Sequence, residues 1–281
     1  MSERLDVMKT YKLLIKGQFL RSESGRTYEV SDAVGGFLAN AARASRKDVR
    51  EAVVAARGAQ ASWWESSAYL KGQILYRWAE MAESRRRDLA DLVQRAWGIG
   101  EDEALEDVNA AIDRLVWYAG WTDKIAQVYG GANPVAGPYF NFSVPRPCGV
   151  VAAIAPSNGS LQGWVDVVAA PLCAGNTVVA VASHEHPLAA FALAELTATA
   201  DVPPGVLNLL TGDLAELAET LARHEDVDGL DLTGAGEFAT AMAEWSADSI
   251  TRTYRPHPGD DPTRRLRSFI ETTTVWHTMG Y

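Results

Sequence analysis

Apolar residues recur along this chain with two different periods, and the change between them divides it. Near the start Tyr11, Leu13 and Ile15 alternate, with Phe19 beyond Gly17, which predicts an N-terminal β arm turning at Gly17 and Gly25. From Ser45 the period becomes helical. Ser45 with Asp48 three residues on has the form of a capping box, and Val49, Val53, Ala56 and Ala59 carry one apolar face up to Trp63 and Trp64. A second helix is expected from Tyr69, with Ile74, Leu75, Trp78, Met81 and Ala82 on one stripe. It continues past Arg85, Arg86 and Arg87 through Leu89, Leu92 and Val93, and Gly98 and Gly100 end it. A third is expected over 101–127 on Leu105, Val108, Ile112, Leu115 and Tyr118, and the glycines and prolines of 130–138 predict a loop.

Beyond that loop strands and helices alternate. Residues 149–155 form an unbroken apolar run, as expected of a strand covered on both faces. Helices are expected over 161–173, 187–199, 214–223 and 237–246, and strands over 177–182, 206–210 and 230–232. Short strand–helix units in succession predict a parallel sheet, wound right-handed, with helices on both faces. The fold class expected is α/β: a Rossmann-like doubly wound parallel sheet preceded by an N-terminal helical region. The Pro-, Gly- and Asp-rich stretch 255–265 reads as a loop, and the β-branched 269–277 as a closing strand.

Composition narrows the function. A chain of 281 residues that is 47% hydrophobic can bury a substantial core. No apolar run is long enough to span a bilayer, and the charged opening residues lack the apolar centre of a secretory leader. A formal charge of −10 argues against a nucleic-acid backbone as partner, and the arginine triplet reads as a solvated helix face. Cys148 and Cys173 are too few and too far apart for a disulfide framework, so a reducing cytoplasm is the expected compartment. His184, Glu185 and His186 read as solvated loop residues and not as a metal set, because side chains two apart diverge and no further ligands cluster nearby. Trp63, Trp78 and Trp117 fall on helical core stripes, whereas Trp245 and Trp276 are candidates to face a partner.

Five segments share a further pattern: Ser45 to Arg57, Pro147-Cys148-Gly149-Val150, Gly175-Asn176-Thr177-Val178-Val179, Val202-Pro203-Pro204-Gly205-Val206-Leu207-Asn208, and His224 to Asp228 leading to Leu232-Thr233-Gly234. Together they resemble the aldehyde dehydrogenase superfamily: its first helix, the approach to its first Rossmann strand, its helix-to-strand turn, its Pro-Pro-Gly-Val-x-Asn loop, and the entrance to its cofactor loop. Phe269 to Val275 resembles the C-terminal oligomerisation strand of the family, and Tyr139 to Arg146 lies in the corresponding projecting hairpin. In such proteins the tail strand pairs with a partner subunit. The resemblance therefore implies a chain that passes from cofactor domain to oligomerisation strand without the catalytic lobe between them. The organisation expected is an N-terminal β arm and helices over 1–135, the oligomerisation hairpin over 136–148, the Rossmann-like core over 149–255, and a linker with the C-terminal strand over 256–281.

The chemistry implied by that resemblance needs a thiolate, an oxyanion donor, a general base and NAD(P). The nucleophilic thiol of the family lies C-terminal of the cofactor segment, and no cysteine follows Cys173. Cys148, after Arg146 and Pro147 at a strand entrance, and Cys173, at a packing position, read as structural thiols. Asn158 matches the oxyanion asparagine, but the Pro-Trp-Asn-Phe-Pro frame around it has become Pro156-Ser157-Asn158-Gly159-Ser160, and Asn158 reads as a turn residue. The glutamate base has no match; its strand should lie near 250–255, where Thr253 takes its place. No catalytic residue is expected.

Cofactor binding is eroded as well. The ribose-holding Lys-x-Ser-Glu falls on Val181-Ala182-Ser183-His184, and valine cannot donate to a hydroxyl. Gly234-Ala235-Gly236-Glu237-Phe238-Ala239 has the form G-x-G-x-x-A, but on the last strand–helix unit instead of the first, and reads as a helix-capping turn. Pro156, Asn158, Ser183, His184, Gly234 and Glu237 mark a vestigial cofactor site. No cofactor is expected, with NAD(P) the alternative.

Two functions follow. One is a catalytically inactive aldehyde-dehydrogenase-like subunit with an assembly or regulatory role. It would form a homo-oligomer, or a complex with a full-length aldehyde dehydrogenase, through Tyr139 to Arg146 and Phe269 to His277, whose edges need cover. The other is an NAD(P)-binding oxidoreductase using the remaining crevice with catalytic groups supplied by a partner. Saturable NAD(P) binding separates them.

Overall fold

In the computed structural model, which describes residues 9–279, the alternating N-terminal pattern forms β1 (Thr10–Tyr11), β2 (Leu13–Ile15), β3 (Gln18–Leu20), β4 (Thr27–Ser31) and β5 (Phe37–Ala42). Residues 1–8 of the charged opening stretch, on which the reading about a leader rests, lie outside the described residues, as do Gly280 and Tyr281. α1 (Arg46–Glu65) begins at a reciprocal cap: Ser45 Oγ accepts from the amides of Lys47 and Asp48, and Asp48 Oδ2 accepts from Ser45 N at 2.8 Å. The same carboxylate takes Ser22 Oγ at 2.7 Å and Glu23 N at 3.0 Å, so the cap also ties the β arm to the helix.

The long second helix expected from Tyr69 is two helices, α2 (Ala68–Ser84) and α3 (Arg86–Trp97). Arg85 leaves helical geometry at φ −113°, which lets α2 pack on the later helix Leu161–Cys173 while α3 turns toward the helix Leu188–Glu195. α4 (Glu101–Ala119) is shorter than expected: buried Thr122 donates to Ala119 O at 3.0 Å, and the chain turns before α5 (Ile125–Tyr129). The presumed loop 130–138 contains a strand, β6 (Gly131–Asn133), hydrogen-bonded to β7 (Tyr139–Pro147).

The alternating half is β8 (Val150–Ile154), α6 (Leu161–Cys173), β9 (Thr177–Val181), α7 (Leu188–Glu195), β10 (Leu207–Leu210), α8 (Leu214–Ala222), β11 (Gly229–Asp231), α9 (Phe238–Trp245) and β12 (Arg252–Tyr254). The main sheet has the order β12-β11-β8-β9-β10-β2-β3, its first five strands parallel and β2 antiparallel to β10. This is the Rossmann-like doubly wound arrangement. Successive strand residues face opposite layers: Ala153, Val178, Ala180 and Leu209 pack toward α2, α4, α6 and α7, and Ala152, Ile154, Val179 and Leu230 toward α1, α8 and α9. Both faces are buried, which explains the unbroken apolar runs. Gly149 opens β8 at φ +138°, where a Cβ would meet Asp228 Oδ2 at 1.9 Å; that oxygen instead accepts from Val150 N at 2.7 Å and Arg57 Nη2 at 2.6 Å.

The stretch 255–265 ends in a helix and not wholly in a loop: α10 (Pro262–Ser268) starts at Asp261, whose side chain accepts from Thr263 N and Arg264 N. β13 (Ile270–Thr278) then pairs antiparallel with β7 along its whole length, from Ile270 opposite Pro147 to Thr278 opposite Tyr139. α10 and buried Phe269 deliver the tail beside the chain's own hairpin. No helix among the described residues is long and apolar enough to cross a membrane.

Candidate functional site

The winding of the sheet reverses between β8 and β11, so the crevice beyond their C-terminal ends is where this architecture takes a ligand. Gly234 forms its floor. Its amide donates to Ile154 O at 3.0 Å, and a Cβ there would meet Ala155 O at 1.7 Å, so only glycine lets the two loops touch. After β8, Pro156 O accepts from Gly159 N at 3.0 Å and Asn158 Oδ1 from Ser160 N at 3.2 Å. After β9, Ser183 is buried; its Oγ donates to Ser157 O at 2.8 Å and accepts from His186 N at 3.1 Å. His184 stacks on Tyr28, ring centroids 4.5 Å apart, with Nδ1 3.0 Å from Gly212 O. Pro156, Asn158, Ser183 and His184 therefore gather around two neighbouring loops, with Gly234 against the base of the first. Glu237 stands apart, exposed at the start of α9.

A pyrophosphate needs free backbone amides at the glycine turn; here Gly234 N, Ala235 N, Phe238 N and Ala239 N are taken by Ile154, Leu232, Ala235 and Gly236 carbonyls, while Gly236 N and Glu237 N have no backbone acceptor among the described residues. Val181 is a core residue beneath α1, and the His184 ring is committed to Tyr28 and Gly212.

The thiols are equally committed. Cys148 Sγ donates to Asn176 Oδ1 at 3.2 Å, and burial, reinforced by Asp228, pushes its pKa up to about 12. Cys173 Sγ donates to Tyr118 O at 3.1 Å, and burial raises its pKa strongly. Both are protonated at neutral pH and hydrogen-bonded inward, the opposite of a nucleophile. Thr253 is exposed on β12, opposite Leu230 of β11, and offers no base. His186 differs from a solvated loop residue: it is half-buried, its Nδ1 has no partner, and burial lowers its pKa. Among the described residues no three His, Cys, Asp or Glu side chains converge as a metal set.

Sequence reasoning missed two polar centres. Asn176 is fully buried and joins three elements, accepting from Gly149 N at 2.9 Å and donating to Pro171 O at 3.1 Å and Phe269 O at 3.0 Å. Asp231, also fully buried, accepts from Thr233 N at 3.1 Å and faces Arg265 Nε at 3.4 Å, while Arg265 Nη2 donates to Thr233 Oγ1 at 2.9 Å. Burial raises the Asp231 pKa against the pull of Arg265; burial would lower that of Arg265, but Asp231 and its neighbours raise it. Thr233 N and Oγ1 both donate to Asp231 Oδ1, while Oδ2 has no hydrogen-bond partner and meets Arg265 only at ion-pair distance. An acidic residue ending an apolar strand was the available signal.

Comparison with known proteins is consistent along nearly the whole chain. A model of the aldehyde dehydrogenase family matches residues 19–263. Aldehyde dehydrogenase family 2 member B4, mitochondrial, of Arabidopsis thaliana is 35% identical over 244 residues, 85% of this chain and 44% of that protein. Benzaldehyde dehydrogenase, mitochondrial, of Antirrhinum majus is 35% identical over 246 residues, 85% of this chain and 45% of that one. The NAD+ complex of an aldehyde dehydrogenase from Bacillus cereus superimposes with a TM-score of 0.82 at 29% identity, covering 88% of this chain and 50% of that one. The chain spans about half the length of the curated relatives it matches.

Proposed function

Because this chain belongs to the aldehyde dehydrogenase family, we propose that it serves there as a non-catalytic subunit with an assembly or regulatory role. The observation that carries this reading is the three-stranded sheet β13-β7-β6, which presents Tyr139, Phe140 and Trp276 at 41%, 49% and 62% exposure. Tyr139 and Trp276 pack edge to face at 5.8 Å on one side, and Phe140 and Phe142 meet at 5.1 Å on the other. A small sheet with exposed aromatic rings and an open outer edge on β13 is poorly stabilised alone and invites association. The partner is a second copy or a full-length aldehyde dehydrogenase, held through Tyr139 to Arg146 and Phe269 to His277, in a reducing cytoplasm that suits two free thiols.

The second reading, an oxidoreductase completed by a partner, draws support from the Bacillus cereus relative, whose structure is an NAD+ complex. The four engaged amides around the glycine turn and the protonated thiols weigh against it in this chain. The test is native mass of the purified protein and of Phe140→Ser/Trp276→Ser, with NAD(P) titrated into each. The proposal expects an oligomer that the double substitution dissociates, and no saturable NAD(P) binding. A monomeric wild-type protein that binds NAD(P) would refute it.

A further inference from the structure

We propose that Asn158 is a site of spontaneous covalent modification, where the side-chain amide is lost as ammonia and aspartate and isoaspartate are left behind. This inference is independent of the assembly role. Of the asparagines in the chain only Asn158 precedes a glycine, a residue with no side chain to shield its amide nitrogen from attack. Asn158 is exposed on the loop after β8, whereas Asn141, Asn176 and Asn208 are buried. The fold itself demands the bare residue that follows. Gly159 has φ +70°, and a Cβ there would overlap His186 Cβ, so no larger residue fits.

The turn brings the reacting groups together. Asn158 Oδ1 accepts from Ser160 N at 3.2 Å, and that bond closes a ring through the Asn158–Gly159 peptide, keeping the carboxamide folded toward Gly159 N. The same donor faces the oxygen on which negative charge develops as the nitrogen adds. Gly159 N gives its proton to hydroxide and attacks Asn158 Cγ. The new C–N bond closes a five-membered succinimide, and the side-chain nitrogen takes a proton from water and leaves as ammonia. A second water then opens either ring carbonyl, giving aspartate or, with the backbone rerouted through Cβ, isoaspartate. Water is the only co-reactant, and nothing is oxidised or reduced. The restraint is the bond from Gly159 N to Pro156 O at 3.0 Å, which must open before the proton is lost. Opening one ordinary hydrogen bond slows the reaction roughly 2–10-fold, against about 10³-fold or more if the whole domain had to unfold.

The test is incubation of the full chain at mildly alkaline pH beside a synthetic peptide of residues 155–162, with peptide mass spectrometry over time on the folded fraction recovered by gel filtration. Asn158 should gain one mass unit and yield both products, the isoaspartate accepting a methyl group from an isoaspartyl methyltransferase. Its rate should lie within about tenfold of the peptide's and climb with pH, because hydroxide takes the amide proton. Asn158→Gln, which would have to close a six-membered ring, should stay unmodified. It should also melt with the wild type, because the side chain is exposed. Conversion more than about a hundredfold slower than in the peptide would mean that unfolding is required, and would overturn the assignment. So would a mass gain at another asparagine ahead of Asn158, or an equal gain in Asn158→Gln.

Discussion

Replacing Asn176 by alanine tests how the tail sheet is held to the core. The side chain accepts from Gly149 N at 2.9 Å and Cys148 Sγ at 3.2 Å, and donates to Pro171 O at 3.1 Å and Phe269 O at 3.0 Å. Two of these partners keep another bond: Pro171 O still accepts from Asn176 N, and Phe269 O from Cys148 N. Gly149 N does not. The loss is then about 1 kcal/mol for each of two replaceable bonds plus about 1–3 kcal/mol for one orphaned buried amide, roughly 3–5 kcal/mol in all. That is a large share of the ~5–15 kcal/mol typical of a domain. Urea unfolding measures it, and hydrogen exchange locates it, with faster exchange expected along β13 once Phe269 O is released. Asn176→Asp should be as damaging, because it keeps an acceptor for Gly149 N but sets carboxylate oxygens against two carbonyls. A loss under about 1 kcal/mol, with β13 protection unchanged, would refute the reasoning.

Three further outcomes follow. Arg265→Met should cost about 3–5 kcal/mol by stranding the Asp231 carboxylate, and Asp231→Asn/Arg265→Met should recover at least half of it, as chemical denaturation would show. Neither thiol should react with a disulfide reagent at pH near 8 in the folded protein, while both react in denaturant, because burial holds Cys148 and Cys173 protonated. Burial lowers the pKa values of His186 and His224 below the ordinary 6.5. Above pH 6.5 the rings are neutral in both states, and stability is full. As pH falls below that value the unfolded chain takes up protons first, so the urea midpoint should drop until the folded pKa values are passed, less steeply in His186→Asn.

The βα half of the chain was legible because strands buried on both faces leave unbroken apolar runs, and the expected helix over Leu161–Cys173 is the observed one. The helix boundaries were less so. Nothing in the stripe of Leu75, Trp78 and Ala82 running on to Leu89 marks the break at Arg85, which is set by two halves packing on different partners. α10 escaped notice because it has only seven residues, although Asp261 and Pro262 are an ordinary helix start. At the site, the structural character of Cys148 and Cys173 could be read from their sequence positions, and both thiols are hydrogen-bonded inward. That four of the amides around the glycine turn are consumed could not be read, since G-x-G-x-x-A spacing is silent on where the N–H groups point. Pairing of β13 with its own hairpin was likewise a matter of chain path through α10 and Phe269, not of local pattern.

The central claim is that this protein works by joining an assembly. Its most direct test is affinity purification of the tagged protein from its own cells, with the native mass of the eluate. The account predicts a fixed-stoichiometry complex, either self-multiples of the 30.4 kDa chain or the chain with a full-length aldehyde dehydrogenase. Elution as a single 30.4 kDa chain, active with NAD(P) and an aldehyde on its own, would contradict it.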